Sequence, residues 1–147
     1  SFRNITEETP ENPETESGKQ MLEAEKLLFT NTNFQTTSIR FGGLYGEDRH
    51  PVHYLSGKSG IANPEGPINL IGLKDCIGSI EKIIEKEAWN EVFNVVNPEH
   101  PSRKDYYNGK AKSLGLPLVG FDEEKISVGK IIDSSKLERL GYEFGEL

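Results

Sequence analysis

Leu73-Lys74-Asp75-Cys76-Ile77-Gly78-Ser79-Ile80-Glu81-Lys82-Ile83-Ile84-Glu85-Lys86-Glu87-Ala88, then, after Trp89 and Asn90, Glu91-Val92-Phe93-Asn94-Val95-Val96, is the stretch that decides the fold class. In the first part Leu73, Cys76, Ile77, Ile80, Ile83 and Ile84 recur with the 3.6-residue period of a helix, and Glu81, Lys82, Glu85 and Lys86 fall on the other face. The second part is apolar on successive residues, as a strand buried on both faces in a parallel sheet would be. A helix leading into such a strand predicts an α/β protein.

The pattern continues on both sides. Upstream, Ser17 and Gln20 have the spacing of a capping box, and Met21, Leu22, Ala24, Leu28 and Phe29 give the helix behind them an apolar face. Thr36 to Phe41 reads as a strand that runs into a flexible turn, Gly42-Gly43-Leu44-Tyr45-Gly46. Pro51 suits the first turn of a short helix to Leu55. Ile68 to Ile71 is a short strand. Downstream, Ser102 and Asp105 mark a helix start, and Gly115 with Pro117 marks its end. Lys130 to Ile132 reads as a strand, and Ser135 and Glu138 cap a last helix ending at Gly141. Residues 1–16 hold two prolines and five glutamates, so they are expected to be an extended acidic arm. Residues 17–147 then form the folded part.

Composition narrows the function classes. The chain has 147 residues, 34% hydrophobic and 28% charged, with net charge −7. An acidic surface repels phosphate backbones, so nucleic acid is not an expected partner. Apolar runs fall short of the roughly 20 residues that span a bilayer, and Ser1 to Gly18 contain no apolar core of a signal peptide. The lone Cys76 cannot form an internal disulfide, which suits a reducing, cytoplasmic compartment. It sits on the apolar helix face and reads as a core residue. The three histidines have no metal-ligand spacing with it, and no metal is expected. The chain opens on Ser-Phe-Arg, which reads as a fragment of something longer.

Several segments, in order, resemble the extended short-chain dehydrogenase/reductase superfamily, the NAD-dependent epimerase/dehydratases. They are Glu23-Ala24-Glu25-Lys26-Leu27-Leu28, Arg40-Phe41-Gly42-Gly43-Leu44-Tyr45-Gly46, Ile68-Asn69-Leu70-Ile71-Gly72-Leu73-Lys74-Asp75-Cys76 and Val92-Phe93-Asn94-Val95-Val96. The tail from Ser134-Ser135-Lys136-Leu137 to Leu140-Gly141-Tyr142 fits as well. Arg49-His50-Pro51 after the glycine turn is similar to the sugar-nucleotide-epimerase-related branch. The resemblance implies the C-terminal part of a Rossmann-like, doubly wound fold with its small substrate-binding lobe. The family's glycine-rich strand–turn–helix, which brings backbone amides to a dinucleotide pyrophosphate, is not in this chain. NAD or NADP is therefore expected in the full-length protein and not in this fragment alone, whose partner would be the missing N-terminal half.

The family's catalytic Tyr-x-x-x-Lys pair lies eight and four residues before the Ala-Glu glutamate. Counting back from Glu25 gives Ser17 and Met21, so the catalytic residues stay unknown and the fragment alone is expected to be inactive. The resemblance points to Gly42, Gly43 and Tyr45 near the cofactor, and to Arg40, Arg49, His50 and Asn69 near the substrate. Blander readings stand beside these. Arg40 could pair with a carboxylate and Tyr45 simply pack. The glycines could only permit a tight turn. A histidine beside a proline is more often a cap or a surface residue, and Asn69 and Asn94 could satisfy backbone groups.

Three functions follow as expectations. The first is the substrate side of an epimerase/dehydratase-like oxidoreductase of unknown small-molecule substrate. The second is a non-catalytic NAD(P)-binding regulator. The third is an interaction module that self-associates through exposed strand edges and apolar faces, giving a homo-oligomer.

Overall fold

A computed structural model describes residues 2–147 of the chain. In chain order the elements are β1 (Arg3–Ile5), α1 (Glu16–Thr30), β2 (Ser38–Phe41), β3 (Gly43–Tyr45), α2 (Pro51–Leu55), β4 (Leu70–Gly72), α3 (Leu73–Glu85), β5 (Val92–Val95), α4 (Arg103–Ser113), β6 (Lys130–Ile132) and α5 (Ser135–Arg139). The strands form three parallel pairs: β1 with β6, β2 with β5, and β3 with β4. Parallel neighbours require long crossovers, and helices supply them, as α2 does between β3 and β4.

Residues 42–46 are not the flexible turn expected. Gly43–Tyr45 is a strand, and Gly42 is the point where the chain changes partners. The Gly42 amide donates to the Val95 carbonyl (3.1 Å) and the Gly43 amide to the Asn69 carbonyl (2.8 Å). A Cβ on Gly42 would lie 2.7 Å from the Asn69 carbonyl oxygen. The glycine is needed because the Asn69 backbone, just ahead of β4, comes too close for any side chain.

The N-terminal arm holds strand β1, whose Ile5 is opposite Ile132. Apolar and β-branched residues at the arm's start outweigh the glutamates and prolines further along. Glu7 and Ser134 also seal one edge of β5. The Asn94 amide donates to the Glu7 carboxylate (2.8 Å), and the Val96 amide to the Ser134 hydroxyl (2.8 Å).

Leu70 and Ile71 show how β4 divides the interior. Successive strand residues point to opposite faces. Leu70 joins Val52, Ile68, Tyr107, Ala111 and Val119, whereas Ile71 joins Cys76, Ile83, Phe93, Val95 and Leu137. Helix α3 sends only Cys76 and Ile83 into the second group. Leu73, Ile77, Ile80 and Ile84 remain 40–64% exposed. Helix α1 buries no residue, and its Met21 is 74% exposed. Both amphipathic patterns are therefore present, but the apolar faces they predict are only partly covered.

Caps were the least legible detail. Thr15, not Ser17, caps α1, accepting from the Gly18 amide. Ser134 holds the N-cap position of α5 without a side-chain cap, because its hydroxyl serves Val96. Ser102 caps α4 as expected, its hydroxyl accepting from the Asp105 amide (3.0 Å). Ser102→Ala should therefore lower stability by about 1 kcal/mol. An unchanged thermal midpoint would show that water replaces this bond without loss.

Candidate functional site

A cleft of about 580 Å³ lies between the N-terminal arm and the sheet. Ile5, Phe41 and Ile132, the last residues of β1, β2 and β6, line it together with Arg40 and Asn94. The arm from Thr9 to Glu14 supplies the opposite wall. Ligands of parallel α/β sheets gather outside the carboxyl ends of the strands, and this volume is within the range of small-molecule sites.

Arg40 is the central charged group. It bonds Glu25 of α1 through Nε (3.1 Å) and Nη2, and Glu11 of the arm through Nη2 (2.7 Å). The Ser38 hydroxyl also donates to Glu25. The guanidinium holds both carboxyls below their ordinary range, and Glu25 in turn raises the affinity of Arg40 for its proton. These bonds fasten α1 and the arm to β2. Arg40 thus has the paired role that the blander reading gave it, and it still borders the cleft.

The other candidates do not gather there. Gly42 and Gly43 pack against the Asn69 carbonyl and the Leu70 side chain. The close approach they allow is to Asn69 and Leu70, where β4 begins. Asn69 clamps β6, donating to the Lys130 carbonyl (2.8 Å) and accepting from the Ile132 amide (2.8 Å). Its side chain is spent on these two backbone groups. Arg49 is exposed and away from the cleft lining.

His50 is buried, with 6% exposure, and is the N-cap of α2. Its Nδ1 accepts from the Val52 amide (3.1 Å), so the ring proton sits on Nε2 and donates to the Tyr106 hydroxyl (2.9 Å). Both nitrogens are engaged, one in capping α2 and one on Tyr106. Burial lowers its pKa to about 4, helped by the Lys110 and His53 charges. Tyr45 meets the His50 ring edge-on at 5.5 Å, and burial raises its phenol pKa.

Residues that sequence reasoning passed over include Thr6, Thr9, Glu11 and Lys130, all in the cleft lining. The composition of the arm, two prolines and five glutamates, predicts an extended acidic segment and points to no cleft. Ser17 and Met21, at the family's dyad positions, are both exposed on α1.

The described residues do not form a cradle for a dinucleotide pyrophosphate. Side chains cap the N-termini of α1, α2 and α4. Gly72, ahead of α3, lies beneath the Tyr45 ring, where an added Cβ would be 3.1 Å from the phenol oxygen. Among the described residues no group of three or more His, Cys, Asp or Glu could hold a metal ion. Among the described residues no helix is long and apolar enough to cross a membrane.

No family model matches the chain. Protein YeeZ of Escherichia coli (strain K12) is 34% identical over 142 residues, which is 95% of this chain and 52% of YeeZ. A Methylobacillus flagellatus protein classed with the NAD-dependent epimerase/dehydratases superposes with TM-score 0.81 at 23% identity, over 98% of this chain and 53% of that one. The UDP-glucuronic acid 4-epimerase of Bacillus cereus, solved with NAD, gives TM-score 0.79 at 20% identity, over 97% and 50%. The chain spans about half the length of each of these proteins. The chain thus shares the α/β fold of about half of these solved epimerase/dehydratase structures.

Proposed function

We propose that this chain is the substrate side of an NAD(P)-dependent epimerase/dehydratase-like oxidoreductase, related to the sugar-nucleotide enzymes. The observation that carries this is the cleft at the carboxyl ends of β1, β2 and β6, within a fold shared with half of an NAD-bound epimerase. The nicotinamide cofactor would accept and return hydride. It would be held by residues outside this chain, since those within it form no pyrophosphate cradle. The part of this chain is to bind and orient the substrate along the floor formed by Arg40, Phe41 and Asn94.

The exposed Ser17 and Met21 favour a second reading, a regulator that binds NAD(P) without turnover. Neither side chain can exchange a proton as a tyrosine–lysine pair does. The test uses the protein expressed together with whatever its gene encodes ahead of Ser1. Titration with NAD(H) and NADP(H) should show saturable quenching of Trp89 fluorescence or a ligand-dependent rise in thermal midpoint. Absence of binding to all four forms would overturn both readings. Cofactor oxidation with carbonyl or nucleotide-sugar substrates would select the oxidoreductase.

A further inference from the structure

Arg40 carries two carboxylates and still has donors to spare. Its Nη1 makes no hydrogen bond among the described residues, while Nε and Nη2 serve Glu25 and Nη2 also reaches Glu11. The two carboxylates are not equivalent. Glu25 is set by helix α1, its side chain is 19% exposed, and it also takes the Ser38 hydroxyl. Glu11 sits on the arm, is 40% exposed, and has no second side-chain partner among the described residues. One carboxylate neutralises one guanidinium, so the second is surplus. Glu11 and Arg40 also line the same cleft.

We infer that Glu11 occupies the place on Arg40 where a carboxylate of the substrate docks, so that the arm closes on the cleft until a ligand displaces it. This rests on the reading of the cleft as the substrate side. Carboxylate–guanidinium pairing is directional and uses parallel donors, and Nη2 with the free Nη1 presents such a fork toward the displaced position. General attraction would not bring an anion here, since the chain's net charge is −7. Binding would have to come from this local fork.

The test is calorimetric titration of the full chain with malonate at low ionic strength, in wild type, Glu11→Gln and Glu14→Gln. Glu14 lines the same cleft but makes no bond to Arg40 among the described residues, and both substitutions remove one negative charge. Glu11→Gln should tighten malonate about fivefold, the scale of one exposed ion pair. Glu14→Gln should change it by less than about twofold, as a screened charge would. Equal gains in the two variants, or none in Glu11→Gln, would overturn the inference. The cofactor titration does not involve Glu11, so it can fail or succeed independently of this result.

Discussion

Phe93→Ala is expected to destabilise the fold by about 3–5 kcal/mol, the range for removing a buried aromatic ring. Phe93 is 1% exposed at the centre of β5 and packs with Ile71, Cys76, Ile83, Val95 and Leu137. Its ring also lies 4.6 Å from the Lys136 ammonium, a cation–π contact. These neighbours come from two strands, β4 and β5 itself, and two helices, α3 and α5, so no single element can move in to fill the void. Domains hold only about 5–15 kcal/mol of net stability, and the variant would lose much of that. Urea unfolding should show a lower midpoint with an unchanged slope. Phe93→Leu, which keeps most of the volume, should cost less than the alanine variant. A loss under about 1 kcal/mol for Phe93→Ala would show that this group of residues is loosely packed.

Lowering the pH from 6.5 to 4 should weaken the fold by on the order of 3 kcal/mol through His50 alone. The sign follows from proton uptake. The unfolded histidine binds a proton below its ordinary pKa near 6.5, whereas the folded one does so only near 4. Between those values the unfolded chain holds the extra proton. The stabilising contribution is therefore complete above pH 6.5, declines through the interval, and levels off below about 4. The cause is structural. Nδ1 must be unprotonated to accept the Val52 amide, and burial disfavours the imidazolium. Asparagine also caps helices well, so His50→Asn should keep α2 and flatten the stability profile in this window. Parallel wild-type and variant profiles from pH 7 to 4 would show that other groups carry the dependence.

Periodicity made most of the architecture legible. The α3 and β5 segments, the strand at Lys130 to Ile132 and the Ser102 cap were all readable from residue type and spacing. What the spacing could not show was pairing. A triplet such as Gly43-Leu44-Tyr45 has the composition of a turn, and only the proximity of Asn69 makes it a strand. Arg-Asn-Ile at β1 is too short to signal a strand without its partner 127 residues away. The site was less legible for the same reason. The resemblance placed Gly42, Gly43, Tyr45, His50 and Asn69 near ligands, yet each is occupied by a neighbour distant in sequence. Arg40 is the candidate that both pairs internally and faces the cleft. Glu11 could not be found from the arm's composition, because its partner is 29 residues away.

Glu7 and Ser134 give the sheet a polarity. They occupy the outward amides of Asn94 and Val96, so β5 has no vacancy for another backbone. On the opposite margin, the alternation of the parallel ladder turns Ile39 and Phe41 away from β5. Among the described residues no further strand meets them. The ladder is thus blind on one side and sighted on the other, and any lengthening of it must begin beside Ile39.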